Sequence, residues 1–232
     1  MDGNILQAID DHEIPQLLKQ FFDHMPQNGQ AKLTELGCGT GRNTTKLLRP
    51  PYVNLLQEVH GLDLSDEMLQ IARKRWEDAE AANGHGSSPV KATFQVFDAL
   101  THDSPPTETT NADGVISTLV LEHLPIGIFF ETVKKLLKKG GCLLLTNMHE
   151  DMGKRSQAGF LDVETGEKIR GESFVYSIEE MVQEAKKQGF QVDRDVKERA
   201  IDKADIELVG ERGHKWLRYK VWYGCILKYA AE

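Results

Sequence analysis

The chain has 232 residues, with 36 acidic against 28 basic, giving a net charge of −8. That length carries one full domain with a substantial core and is short for two, while an apolar share of 40% and an aromatic share of 7% exclude disordered and fibrous classes. An acidic surface repels phosphate backbones on average, which argues against nucleic acid, and no apolar run reaches the roughly 18–20 residues of a membrane span. Three cysteines without a Cys-x-x-Cys pair fit a reducing compartment better than disulfides or zinc. The first fifteen residues, MDGNILQAIDDHEIP, lack the positive-plus-apolar build of a secretory signal, so the cytoplasm is the expected location.

Ile14, Leu17, Leu18, Phe21 and Phe22 recur at helical spacing and predict a helix over 13–25, either packed at a sheet edge or serving as a flap. The stretch LTELGCGTGRNT, 33–44, then reads as a strand, a tight loop and the start of a short helix over 44–48. Gly37, Gly39 and Gly41 let another molecule come against bare backbone. A dinucleotide fingerprint needs its third glycine at position 42, which is Arg42, and the Lys-Ser/Thr ending of a phosphate loop is missing. What fits is Glu-x-Gly-x-Gly-x-Gly, beginning at Glu35.

A second strand ends at Asp63, 28 residues after Glu35, a spacing suited to a carboxylate that takes both hydroxyls of a ribose. Ser65-Asp66-Glu67-Met68 has the look of a capped helix start, which leaves Asp63 free of capping. A polar loop containing His85 leads to a third strand, 92–97, ending in Asp98-Ala99. The fourth strand, 113–118, runs into LVLEHLP. A helix over 129–137, a turn at Gly140-Gly141 and an all-apolar strand over 142–146 follow. Five strand–helix pairs predict an α/β, doubly wound sheet with ligands at the carboxyl ends of its strands, where Glu35, Asp63 and Asp98 converge.

Beyond 146 the pattern changes. Phe160-Leu161-Asp162 and Ser173 to Tyr176 flank a turn at 164–167 and suggest a hairpin inserted at about 150–176. A helix over 178–188 and two final strands, 191–200 and 221–229, complete the chain. Lys215, Arg218 and Lys220, interleaved with Trp216, Tyr219 and Trp222, read as a strand with one wet face or as a base-stacking surface.

From Leu33 through Leu145, and more loosely to its end, the chain resembles the class I S-adenosylmethionine-dependent methyltransferases. The resemblance implies a single domain, 1–232, built on a Rossmann-like seven-stranded sheet: five parallel strands plus a terminal antiparallel pair, with helices on both faces. It implies S-adenosyl-L-methionine as cofactor, S-adenosyl-L-homocysteine as product, and cofactor contacts from Glu35, Gly37, Cys38, Gly39, Gly41, Asp63, Leu64, Met68, Asp98, Ala99, Thr118 and Leu119. Leu64 and Met68 then flank the adenine and Asp98 reads its amine, although Met68 reads equally as plain core. Metal-assisted relatives carry carboxylates or amides just past the fourth strand. Here Ser117-Thr118-Leu119-Val120 stand there, so no metal is expected.

Methyl transfer requires one proton to be taken up, and a histidine has the affinity for it near neutrality. His123 in LEHLP and His149 in NMHED both fall near the crevice mouth, with Arg155 and Tyr176 of the insertion as substrate contacts. The bland alternatives are a His123 bonded within its own helix and a His149 that serves as a hinge. The expected partner is a small-molecule O, N or S acceptor. Methylation of a protein side chain, or a cofactor-binding subunit without turnover, stand as the alternatives.

Overall fold

Segments that read apolar throughout form the middle of one sheet. β4 (Ala112–Thr118) is buried at every position, and β5 (Leu137–Met148) is buried from Gly141 onward. In this computed structural model the described residues are 4–82, 90–156, 159–161, 168–170 and 173–230, with the backbone alone in 159–161 and 168–170. His85 and the turn expected at 164–167 lie outside the described residues.

β1 (Ala31–Leu36), β2 (Leu56–Asp63) and β3 (Lys91–Val96) join β4 and β5 as a parallel set in the order β3-β2-β1-β4-β5. β10 (Lys220–Tyr229) then runs antiparallel to β5, pairing Cys225 with Leu145. The final strand expected at 191–200 is broken into β8 (Phe190–Val192) and β9 (Lys197–Ala200), both antiparallel to β10. The break falls on Asp193-Arg194-Asp195, a charged run of poor strand propensity, and Asp193 is drawn into ion pairs with Lys228 at 2.5 Å and His24 at 2.9 Å.

One face of the sheet carries α1 (Ile5–Phe22) and α2 (Asp66–Ala82), the other α3 (Ile126–Leu136) and α5 (Ile178–Lys187), each over its own apolar core. α1 begins eight residues earlier than the apolar spacing predicted, because the Asn4 side chain caps it by accepting from Leu6 N at 3.0 Å, and Ile5, Leu6 and Ile9 extend the buried stripe. It lies across β5 and β10. Gly140 and Gly141 do not precede the fifth strand but sit inside it. Ala112 pairs with Leu137 and Gly114 already with Cys142, so the extra residues bulge out at Gly140, φ 79°.

Between β5 and α5 come α4 (Glu150–Gly153) and a hairpin of β6 (Gly159–Leu161) with β7 (Lys168–Arg170). The insertion is therefore a hairpin, with its second strand earlier than 173–176. That later segment is instead strapped across 122–126: Phe174 N donates to Glu122 O at 2.8 Å, and the Tyr176 hydroxyl donates to Leu124 O at 3.1 Å. Lys215 to Tyr219 is not a strand. α6 (Ile206–Val209) and a 3-10 turn over Glu211–Trp216 precede β10, the Lys215 ammonium covers the buried Trp216 ring at 4.8 Å, and Arg218 at φ 70° breaks any extension.

Candidate active site at the switch point of the sheet

The sheet order reverses between β1 and β4, and the carboxyl ends of β1 to β4 open there into one crevice, the usual ligand position of such sheets. The loop after β1 folds over the end of β2, with Gly37 N and Cys38 N both donating to Leu62 O at 2.8 and 2.9 Å. Gly37, at φ 74°, has no room for a side chain: a Cβ would lie 2.2 Å from Val120 Cγ2. Gly39, at φ 53°, would meet nothing within 4 Å, while Gly41 rests on Ala72 of α2. Asp63 ties the loop to β2, its Oδ2 accepting from Gly39 N at 2.7 Å and its Oδ1 from Ser65 N at 3.0 Å. The Ser65 hydroxyl caps α2 by accepting from Met68 N, so each Asp63 oxygen keeps a lone pair for a ligand.

A cavity of about 450 Å³ fills the crevice. Of the residues expected there from sequence, Glu35, Gly37, Cys38, Gly39, Asp63, Leu64, Met68, Asp98, Ala99, Thr118, Leu119 and His123 line it. Gly41, His149, Arg155 and Tyr176 do not. Among the lining residues that sequence reasoning missed are Gln7, Arg42, Asn43, Leu100, Val120 and Leu124. Leu100 carried a signal, an isolated apolar residue next to Asp98-Ala99 at the head of a polar loop. Leu64 is 66% exposed, Leu100 56% and Met68 45%. Met68 is thus rim rather than core, and three open apolar side chains beside two carboxylates make a slot for a flat ring with polar edges.

Glu35 is buried at the cavity floor, where desolvation pushes its pKa up to about 7 against the opposing pull of the Thr44 hydroxyl, which donates to its Oε2, and of Arg42 and Lys46. Burial, with Glu35 and Asp63 nearby, raises the Cys38 thiol far above its ordinary range, so it stays protonated and inert. The Asp98 carboxylate shapes its own loop, accepting from Leu100 N at 2.8 Å and Thr101 Oγ1 at 2.9 Å.

α1 completes the cavity through a fully buried carboxylate. Asp10 Oδ2 accepts from Arg42 Nη2 at 2.8 Å and Asn43 Nδ2 at 3.3 Å, and its Oδ1 from Thr146 Oγ1 at 2.6 Å and Trp222 Nε1 at 3.0 Å. Asn43 in turn donates to Thr118 Oγ1 at 2.9 Å. The glycine loop, β4, β5 and β10 are thereby joined to one helix residue. A second acid, Glu13, binds Arg199 at 2.8 Å and Lys197 at 2.6 Å. α1 is fixed to the sheet rather than hung over it, with Gln7 reaching the cavity.

The two histidines part company. His123 lines the cavity, with 56% of its side chain exposed, and partial burial holds its pKa below the usual imidazole value. His149 is buried and caps α4: Nδ1 accepts from Asp151 N at 3.0 Å, which leaves the proton on Nε2, 3.1 Å from Glu198 Oε2. Arg155 donates to Asp151 O at 2.8 Å and stacks on Tyr219 at 4.3 Å. The Tyr176 hydroxyl bridges Leu124 O and Ile126 N, both at 3.1 Å. Among the described residues no group of three or more His, Cys, Asp or Glu side chains is arranged to hold a metal ion.

Fold and cavity together define an α/β enzyme of the nucleoside-binding kind. A model of the methyltransferase domain matches residues 34–145. An uncharacterized methyltransferase of Emericella nidulans is 36% identical over 247 residues, spanning 96% of this chain and 84% of that protein. Phosphoethanolamine N-methyltransferase 2 of Caenorhabditis elegans is 30% identical over 141 residues, 60% of this chain and 28% of that protein. In fold, an S-adenosylmethionine-dependent methyltransferase from Mesorhizobium loti superposes with a TM-score of 0.63 at 20% identity, covering 98% of this chain and 99% of that one. The chain belongs to the class I S-adenosylmethionine-dependent methyltransferases, with S-adenosylmethionine as its cofactor. No helix among the described residues is long and apolar enough to cross a membrane.

Proposed function

We propose that the enzyme methylates a small-molecule O, N or S acceptor at the mouth of this cavity, with His123 taking up the acceptor's proton. The observation that carries the reading is the meeting, in one cavity, of the glycine loop, Glu35, Asp63, Asp98 and the open apolar rim, with His123 beside them. The residues present fit the cofactor. Asp63 faces the cavity with two free lone pairs for ribose hydroxyls, Leu64, Met68 and Leu100 suit the faces of adenine, Asp98 with Ala99 its edge, and the bare backbone of Gly39 admits close approach. When bound, S-adenosylmethionine supplies a methyl on a sulfonium, and the electron pair of the broken S–C bond stays on sulfur.

What this chain contributes is position and one proton site. Among the described residues no backbone group pairs with the His123 ring; it opens on the cavity, and burial holds its pKa below the usual imidazole value, which suits it to accept a proton near neutrality. His149 has both ring nitrogens engaged in structure. The insertion between β5 and α5 is short, which favours a small acceptor over a macromolecular tract. A nitrogen acceptor is the first to test, because one relative is named an N-methyltransferase of phosphoethanolamine.

The experiment is calorimetric titration with S-adenosylhomocysteine, followed by release of S-adenosylhomocysteine from S-adenosylmethionine with a panel of ethanolamine-type amines, phenols and thiols. His123→Gln is expected to lower turnover with cofactor affinity retained, and His149→Gln to lower stability with turnover retained. Full turnover in His123→Gln removes the base. Tight cofactor binding without turnover on any acceptor favours a non-catalytic binding subunit.

A further inference from the structure

Directly beside His123 in the chain lies a carboxylic acid with no cation to match it. Glu122 is 6% exposed. Its backbone is held from two sides, Glu122 N donating to Asn147 Oδ1 at 3.3 Å and Glu122 O accepting from Phe174 N at 2.8 Å. Oε2 accepts from Met148 N at 3.3 Å, the carboxyl has one further backbone donor in its own N–H, and Oε1 lies 4.0 Å from His123 Nε2. Buried carboxylates are normally paired with a cation or well supplied with donors. Among the described residues, Glu122 has no Lys or Arg within ion-pair distance.

Its surroundings disfavour a negative charge. Burial raises its pKa to about 7 against the opposing pull of Met148 N, and Asp10 of α1 adds to the rise. Among the described residues, the base whose ring comes within 4.0 Å of its carboxyl is His123. An acid kept in such a place, one residue from the side chain that opens on the cavity, is a functional arrangement rather than a packing one.

We propose that Glu122 is a positioning residue for proton uptake: its carboxylate Oε1 stands 4.0 Å from His123 Nε2, near enough to stabilise the imidazolium that forms when His123 takes the acceptor's proton, and too far to occupy the ring nitrogen with a hydrogen bond. The inference rests on His123 being the base. The acceptor's proton moves to the His123 imidazole, and with Glu122 ionised the resulting imidazolium faces the carboxylate Oε1, 4.0 Å from Nε2.

The test is a pH titration by NMR of the full chain without cofactor, following the His123 Cε1 proton and, in protein labelled at glutamate, the Glu122 carboxyl carbon. In the wild type the two groups are expected to show common inflections, as coupled sites do. Glu122→Gln keeps the shape and an acceptor for Met148 N. In it, His123 is expected to titrate in a single step with its midpoint lower by about half a pH unit or more, and turnover with the best acceptor of the panel to fall by roughly tenfold. S-Adenosylhomocysteine affinity is expected to stay within about twofold, since Glu122 does not line the cavity.

An unchanged His123 midpoint in Glu122→Gln overturns the proposal, as do separate, unshared inflections in the wild type, a measurement that needs no variant to fold. The two readings fail differently. Full turnover in His123→Gln beside intact coupled titration removes only the base, whereas lost turnover in His123→Gln with no coupling removes only the role of Glu122.

Discussion

Asp10→Ala is the most demanding test of how α1 builds the site. The substitution leaves four donors facing a void: Arg42 Nη2, Asn43 Nδ2, Thr146 Oγ1 and Trp222 Nε1. Thr146 and Trp222 are fully buried and have no water to turn to, and each such orphan costs about 1–3 kcal/mol. Arg42 keeps Asp11 at 2.7 Å and Asn43 keeps Thr118 at 2.9 Å, so their losses are partial. Because these terms share one site they do not add in full, and the expected loss is about 3–5 kcal/mol, the range for breaking a buried pair. Urea unfolding followed by circular dichroism measures it. Asp10→Asn, which still accepts from Thr146 and Trp222 but turns an amide toward Arg42, is expected to fall between. A loss below about 1 kcal/mol for the alanine variant would refute the idea that this carboxylate joins helix to loop and sheet.

Asp63→Ala should weaken S-adenosylhomocysteine binding by roughly 1.5–3 kcal/mol, as for lost hydrogen bonds to a charged group; unchanged calorimetric affinity in the folded variant removes the ribose role. Gly37→Ala should cost far more stability than Gly39→Ala, several kcal/mol against about 1 kcal/mol, since only the first meets Val120 while both strain the backbone; equal shifts in Tm would show the loop can move aside. Glu35 titrates at about 7 in the fold against an ordinary value of 4.5, so the folded state binds more protons in that window. Stability therefore falls as pH rises from 4.5 through 7. The wild type should lose about 3 kcal/mol relative to Glu35→Gln between pH 4.5 and 8, and parallel stability curves for the two proteins would contradict the burial argument.

The parallel strands and the acids at their ends were legible because each is a local pattern: a short strand-like stretch with a carboxylate at or near its end, in Leu33 to Glu35, in Val59 to Asp63 and in Phe94 to Asp98. Helix starts were legible where a capping side chain stood next to them, as at Ser65. What stayed hidden depends on partners far along the chain. Asp10 sits in a run of acids that looks like a wet surface, and its partners Arg42 and Trp222 are 32 and 212 positions away. His149 looked like a base because acids flank it, yet its ring is used by Asp151 N and by Glu198, 49 positions on. Tyr176 and Arg155 were read as substrate contacts, but their polar atoms bind backbone of the segments they fasten. The break between β8 and β9 was written in Asp193-Arg194-Asp195, a charged interruption that the wider apolar alternation masked.

The clasp around Asp10 also has a bearing on how a newborn chain reaches this shape. The helix that bears it emerges ahead of these strands, yet two of its four donors arrive on β5 and β10, the latter 212 positions further on. Until then the nascent helix holds an acid that can draw on Arg42 and Asn43 alone of its four donors, and an apolar stripe without the strands it rests on. Contacts this distant in sequence close slowly, and incomplete chains expose what the finished ones hide. Competence to hold a nucleoside should thus appear abruptly on completion of the last strand, rather than growing with each strand added to the parallel half.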